Sequence, residues 1–250
     1  MKSILFLSVI AFSGACVDQL DTGPEVASTN EPRLASNGLT PAQIPSTTLN
    51  QAALTGSAIT SLAATSDGRN YLTYLVGCAL DGTQSLTTTG SPSYTFTGSL
   101  GIVPGWTTTA LSTADRHWVS ACMLARANYN GSNVQISMRG THSQLYLSGE
   151  SGYGLQEAAF YGDIFSGTDT RHTCGDVDTI LHPTILTLKL RLCGRDTNGE
   201  GPGGHTPCGF IYDGACATTC SFSSPNYTSC TAYDSTVWNE VVKVELLGTI

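Results

Sequence analysis

Along Asp67–Leu80 the apolar residues Leu72, Leu75, Val76 and Ala79 recur at helical spacing, which predicts a helix that carries Cys78. A second helix is marked at its head. Ser112-Thr113-Ala114-Asp115 is a capping-box pattern, in which the hydroxyl and the carboxylate satisfy free amides of the first turn. Apolar positions continue through Trp118, Val119, Cys122 and Ala125. The helix is expected to stop at Asn128-Tyr129-Asn130-Gly131, where Asn and Gly accept left-handed backbone angles cheaply. Beyond Gly131 the period shortens to two. Val134-Gln135-Ile136-Ser137-Met138, Leu186-Thr187-Leu188-Lys189-Leu190-Arg191-Leu192 and Val242-Lys243-Val244-Glu245-Leu246 alternate, as strands do when one face is buried and the other wet. Leu145-Tyr146-Leu147 is a shorter candidate strand, and Pro183 stands where a strand can begin without needing its amide.

The first residues follow a different rule. Met1-Lys2-Ser3 is a short basic start, Ile4 to Phe12 is apolar, and Ser13-Gly14-Ala15-Cys16 offers small residues for cleavage, so residues 1–15 are read as a signal peptide. Its apolar run of about nine residues is far short of the ~20 that span a bilayer. Cys16 directly after Ala15 resembles the lipobox of bacterial lipoproteins, with Ser13 where Leu is usual, and this makes Cys16 the expected lipidation site. Ser13 and Ala15 also suit ordinary secretory cleavage. Residues 16–51, rich in Pro, Ser, Thr, Asn and Gly and without apolar periodicity, read as a flexible tether with a reach of about 30 Å. A single domain is expected over 52–250, with fold class α+β: two packed helices against a mainly antiparallel sheet, and a loop-rich C-terminal part.

Cysteine parity agrees with export. The chain has 9 cysteines, and setting Cys16 aside leaves Cys78, Cys122, Cys174, Cys193, Cys208, Cys216, Cys220 and Cys230, an even set that can pair completely. Cys78 and Cys122 are the only two in the mature body before Cys174, so one bridge between the two helices is expected. The six between 174 and 230 leave their connectivity open. The formal charge is −8, with 12% of residues charged and no Lys/Arg cluster, which argues against a nucleic-acid partner.

Chemical signals are sparse. Asp196-Thr197-Asn198-Gly199-Glu200-Gly201 has the first half of a calcium loop, with Asp196, Asn198 and Glu200 as candidate ligands. However, Pro207 occupies the position of the bidentate Glu, and a solvated turn is the preferred reading. None of the five His residues stands at metal-binding spacing; a zinc site would need His172, His182 and His205 to meet in space. A nucleophilic Cys122 beside His117 would need a free, acidified thiol. Glu150, Glu157 and Asp163 lie near one another in sequence and would suit paired-carboxylate hydrolysis. Glu157 sits among apolar neighbours and, if buried, needs a partner, for which an Arg is expected in a structural role.

Tyr74-Leu75-Val76-Gly77-Cys78-Ala79-Leu80, Trp118-Val119-Ser120-Ala121-Cys122-Met123-Leu124-Ala125-Arg126 and Cys208-Gly209-Phe210 together resemble a group of uncharacterised exported bacterial proteins of lipoprotein type, over about residues 70–246. The resemblance implies export and a shared disulfide framework and transfers no catalytic residue. The sequence therefore favours an envelope or surface protein, held at the outer membrane or cell surface by its lipid and otherwise periplasmic or secreted. It would bind a glycan, a peptide or another envelope protein without a cofactor. The alternative is a secreted hydrolase of polysaccharide or peptide.

Overall fold

A six-stranded sheet separates two buried layers of different kind. The computed structural model describes residues 34–35, 38–45, 47–145, 151–167, 170–182 and 184–248; the expected signal peptide, Cys16, most of the expected tether, Tyr146–Leu147 and Pro183 lie outside them. In chain order the elements are β1 (Leu34–Ala35), α1 (Gly56–Ile59), α2 (Ser66–Ala79), β2 (Ser85–Thr87), β3 (Thr95–Thr97), α3 (Thr113–Ala125), β4 (Ile136–Arg139), β5 (Tyr153–Gly162) and β6 (Arg171–Gly175). They continue as α4 (Val177–Leu181), α5 (Leu186–Arg191), β7 (Ile211–Ala215), α6 (Cys216–Thr219), β8 (Cys220–Ser223), β9 (Asn226–Thr231), β10 (Val237–Trp238) and β11 (Val242–Leu247). The large sheet has the order β1-β4-β11-β5-β6-β7 and is antiparallel except for its β6–β7 pair. β8, β9 and β10 form a separate antiparallel sheet, and β2–β3 a hairpin. The fold class is α+β, as expected, with a disulfide-rich C-terminal part.

The two long helices form where the apolar spacing places them. The Thr65 hydroxyl accepts the Gly68 amide at the head of α2, and the Ser112–Asp115 capping box closes the head of α3. The last carbonyls of α2, from Gly77 to Leu80, accept the amides of Ser99, Leu100, Gly101, Ile102 and Val103, so the helix ends without orphaned acceptors. Tyr71, Leu72, Leu75 and Val76 of α2 and Val119, Met123 and Leu124 of α3 are buried against Ala158 and Phe160 of β5 and Val242, Val244 and Leu246 of β11. The Cys78–Cys122 bridge joins the two helices, the pairing expected of the only two cysteines in the mature body before Cys174.

The opposite face of the sheet is also buried, and part of it is charged. Lys243 and Glu245, which the alternating pattern assigned to solvent, are 4% and 5% exposed, and Arg139 beside them is 4% exposed. Arg139 Nη1 lies 2.7 Å from Glu245 Oε2. Lys243 Nζ lies 3.1 Å from Glu245 Oε1 and donates to Gln156 Oε1 at 2.9 Å. The Tyr227 ring of β9 lies 5.6 Å from the Lys243 ammonium, and its hydroxyl donates to Asp176 Oδ2 at 3.1 Å. These charges pair within the layer, as buried charges must. Next to them is a second apolar cluster of Ala159, Tyr161, Cys174, Cys216, Tyr227, Cys230, Ala232, Trp238 and Val241.

Two further expectations are corrected. Leu186–Arg191 is a short helix, ended by Leu192 in the left-handed region at φ 58°, and not a strand. Helical spacing puts Leu188 and Arg191 on one buried side, where Arg191 reaches Glu157 and the Ala125 carbonyl. The folded body also begins before residue 52. β1 pairs with β4, Leu39 and Ile44 are buried, the Leu39 carbonyl accepts the Asn128 amide, and Arg171 Nη2 donates to the Ile44 carbonyl.

Candidate functional site

The residues singled out for chemistry are mostly held in separate structural contacts. Glu157 sits at a bulge of β5, where Val244 and Glu245 of β11 face Ala158 and Gln156. Its two carboxylate oxygens accept from Arg191 Nε at 2.9 and 2.8 Å, the Arg partner expected for a buried Glu157. Burial pushes the Glu157 carboxyl up, and the Arg191 guanidinium opposes that shift. Asp163 goes elsewhere: its oxygens accept from the Phe165 amide and the Ser166 hydroxyl, and Arg116 Nη1 lies 3.4 Å away. Glu150 lies outside the described residues. Cys122 is bonded to Cys78, and His117 Nδ1 instead lies 3.1 Å from Glu240 Oε2.

Asp196 belongs to a turn. Its Oδ1 accepts the amides of Asn198, Gly199 and Glu200, and its Oδ2 the amide of Gly201. Partial burial pushes this carboxyl up, but the amide hydrogen bonds outweigh it and hold the group below the usual carboxylate range. Glu200 accepts the His205 amide, and Asn198 faces Glu200, so the three expected calcium ligands stabilise their own loop. His172, His182 and His205 do not converge. Among the described residues, the one set of three potential ligand side chains within 4.8 Å is Cys174, Cys216 and Cys220, whose sulfurs belong to disulfides.

Sequence reasoning gave no sign of two other features. The first is a buried hub at Asp213 on β7. Its Oδ2 accepts the Tyr161 hydroxyl at 2.8 Å and lies 3.1 Å from His172 Nδ1, while its Oδ1 accepts the Tyr233 amide at 2.9 Å. Burial, and then the Asp213 charge, push the Tyr161 phenol well above its ordinary range. A carboxylate, an imidazole and a phenol in series is a proton-handling arrangement. However, the side chains of His172 and Asp213 are 2% and 0% exposed, with the Trp238 ring 5.8 Å from that of His172. No ligand reaches this hub while the small sheet is in place.

The second feature is open to solvent. A cleft of ≈ 250 Å³ is lined by Thr179 and Ile180 of α4, Arg195, Asp196 and Tyr212. Its parts come from distant stretches of chain. The Asp176 carboxylate caps α4 through the Val177 amide. The Cys193–Cys208 bridge holds the segment leading to Arg195, and β7 presents Tyr212. Gly175 lies close to two of the lining residues: a Cβ there would stand 3.2 Å from the Tyr212 hydroxyl and 3.5 Å from Ile180 Cγ1. Burial, and then the Asp196 charge, raise the Tyr212 phenol. Beside the cleft, α4 leaves Val177, Ile180 and Leu181 exposed at 41%, 45% and 64%.

No family model matches the chain, and neither a curated protein nor a solved structure is similar to it at a significant level. The four disulfides suggest an oxidising, extracytoplasmic location. Among the described residues, no helix is long and apolar enough to cross a membrane.

Proposed function

We propose that this is an exported envelope or surface protein, lipid-anchored through Cys16, that binds a ligand rather than transforming one. The ligand seat is the cleft between α4 and Tyr212. The observation that carries the reading is a contrast in exposure. Glu157, Asp163, His172 and Asp213 are buried and committed to partners inside the protein. The open concavity presents the Tyr212 phenol and the Ile180 side chain together with Thr179, Arg195 and Asp196. Convergent polar groups around a concavity are what fix a ligand's orientation in a binding site. The exposed apolar side of α4 beside it favours a peptide or protein segment that inserts an aliphatic or aromatic side chain.

Two measurements test this. Metabolic labelling with a fatty acid should mark wild type and leave Cys16→Ser unlabelled; an unlabelled wild type would replace anchoring by free secretion. Panning wild type against a peptide library should yield binders whose affinity falls about tenfold or more in Ile180→Asp and Tyr212→Ala. Binders indifferent to both changes, or turnover of a glycan or peptide by the wild type, would overturn the reading.

A further inference from the structure

Two disulfides meet under the small sheet. Cys174–Cys216 ties β6 to α6, and Cys220–Cys230 joins facing positions of β8 and β9. Between them, Cys174 Sγ and Cys220 Sγ stand 3.4 Å apart, in van der Waals contact, and the sulfurs of Cys174, Cys216 and Cys220 all lie within 4.8 Å of one another. Cys174, Cys216 and Cys230 are each 0% exposed, whereas Cys220 is only partly buried. The surrounding side chains are Ala159, Tyr161, Tyr227, Ala232 and Trp238, an apolar wall around three of the four sulfurs.

The geometry points to a thiol–disulfide exchange site made of Cys174, Cys216, Cys220 and Cys230, entered at Cys220 and taking a dithiol as its substrate. Exchange proceeds by attack of a thiolate on a disulfide sulfur, and its rate depends on access to that sulfur. A thiolate of the dithiol attacks Cys220 Sγ, forming a mixed disulfide and releasing the Cys230 thiolate, which takes up a proton. The second thiol of the reagent attacks the reagent's own sulfur in the mixed disulfide. The dithiol leaves as a cyclic disulfide, two electrons have passed to the protein, and Cys220 is freed as a thiolate. Freed from Cys230, the Cys220 side chain turns so that its Sγ lines up behind the Cys174–Cys216 bond and attacks the adjacent Cys174 Sγ: the Cys174–Cys220 bond forms, the Cys174–Cys216 bond breaks, and the Cys216 thiolate is protonated. This last step transfers no net electrons. It carries the opening from the exposed rim to a bridge that no external thiol reaches.

The product has one new bridge, Cys174–Cys220, and thiols at Cys216 and Cys230. In that state α6 is released from β6 while β8 becomes tied to it. The site acts through buried sulfur and not through the cleft, so it stands whether or not the cleft binds a peptide.

The test is a partial reduction of the folded, fully oxidised protein with one equivalent of dithiothreitol. Samples are quenched with N-ethylmaleimide at successive times and mapped by tandem mass spectrometry of chymotryptic peptides. Fragmentation between Cys216 and Cys220 tells which of the two carries the label. The expected two-thiol species is labelled at Cys216 and Cys230 and contains a Cys174–Cys220 bridge. A species labelled at Cys220 and Cys230 throughout, with Cys174–Cys216 intact, would overturn the proposal, as would first opening of any other bridge. In Cys220→Ser/Cys230→Ser the Cys174–Cys216 bridge should open about tenfold or more slowly than in wild type, because its internal attacking thiol is gone. Equal rates would overturn the relay. Should that variant fail to fold, the wild-type map alone decides.

Discussion

Arg191 and Glu157 form an ion pair inside the protein, with Nε 2.9 and 2.8 Å from the two carboxylate oxygens and side chains 0% and 2% exposed. The same guanidinium donates to the Ala125 carbonyl at the end of α3, so the pair joins α5, the β5 bulge and α3. Removing one partner leaves the other as an uncompensated buried charge, a loss of about 3–5 kcal/mol. Replacing both by apolar residues of similar volume restores most of it. Arg191→Met is therefore expected to cost several kcal/mol in urea unfolding, and Arg191→Met/Glu157→Leu much less. Additive losses would show that the pair is not coupled.

Asp213 is expected to matter for stability more than any surface carboxylate. Its removal takes the carboxylate partner from the buried Tyr161 hydroxyl and His172 Nδ1 and from the part-buried Tyr233 amide. Each stranded group costs about 1–3 kcal/mol. Asp213→Ala should lower the unfolding free energy by about 3 kcal/mol or more and loosen the cover over His172, read as faster amide exchange across β9 and β10. A loss under about 1 kcal/mol would contradict the hub.

Gly194, one residue after Cys193, sets how closely the cleft segment approaches the sheet. A Cβ there would lie 2.2 Å from Ala158 Cβ, a separation that two carbons cannot keep. Gly194→Ala is expected to destabilise by about 1–3 kcal/mol through overpacking. Ala158→Gly in the same chain should recover a large part, because the clash is with that one methyl. Thermal unfolding of the two single variants and the double variant measures the coupling, and no recovery would place the strain elsewhere.

The parts of this fold that were legible in the sequence are those built from local contacts. α2 and α3 follow from apolar spacing and, for α3, from the Ser112–Asp115 box; the bridge between them follows from Cys78 and Cys122 being the first two cysteines of the body. β11 also appears where Val242, Val244 and Leu246 alternate. The misread stretch, Leu186–Arg191, has a true two-residue alternation that tertiary contacts override: Arg191 is needed at Glu157, and a helix brings it there. Alternation also says only that two faces differ. That Lys243 and Glu245 lie beneath a second sheet depends on Tyr227 and Asp176, residues far away in the chain. The cleft was hidden for the same reason, since Thr179, Arg195 and Tyr212 come from a helix, a loop and a strand far apart in the chain and carry no shared motif.

All four bridges fall within two windows, Cys78–Cys122 and Cys174–Cys230, and none spans the chain between Cys122 and Cys174. Across that gap the large sheet is interleaved: β4, from before Cys174, lies between β1 and β11, and β11 in turn pairs with β5. A single backbone cut between Cys122 and Cys174 thus leaves two covalently separate pieces that share one sheet. The oxidised protein is in effect a two-fragment complementation pair in one chain, and its halves, made apart and mixed, should find each other through the edge of β11.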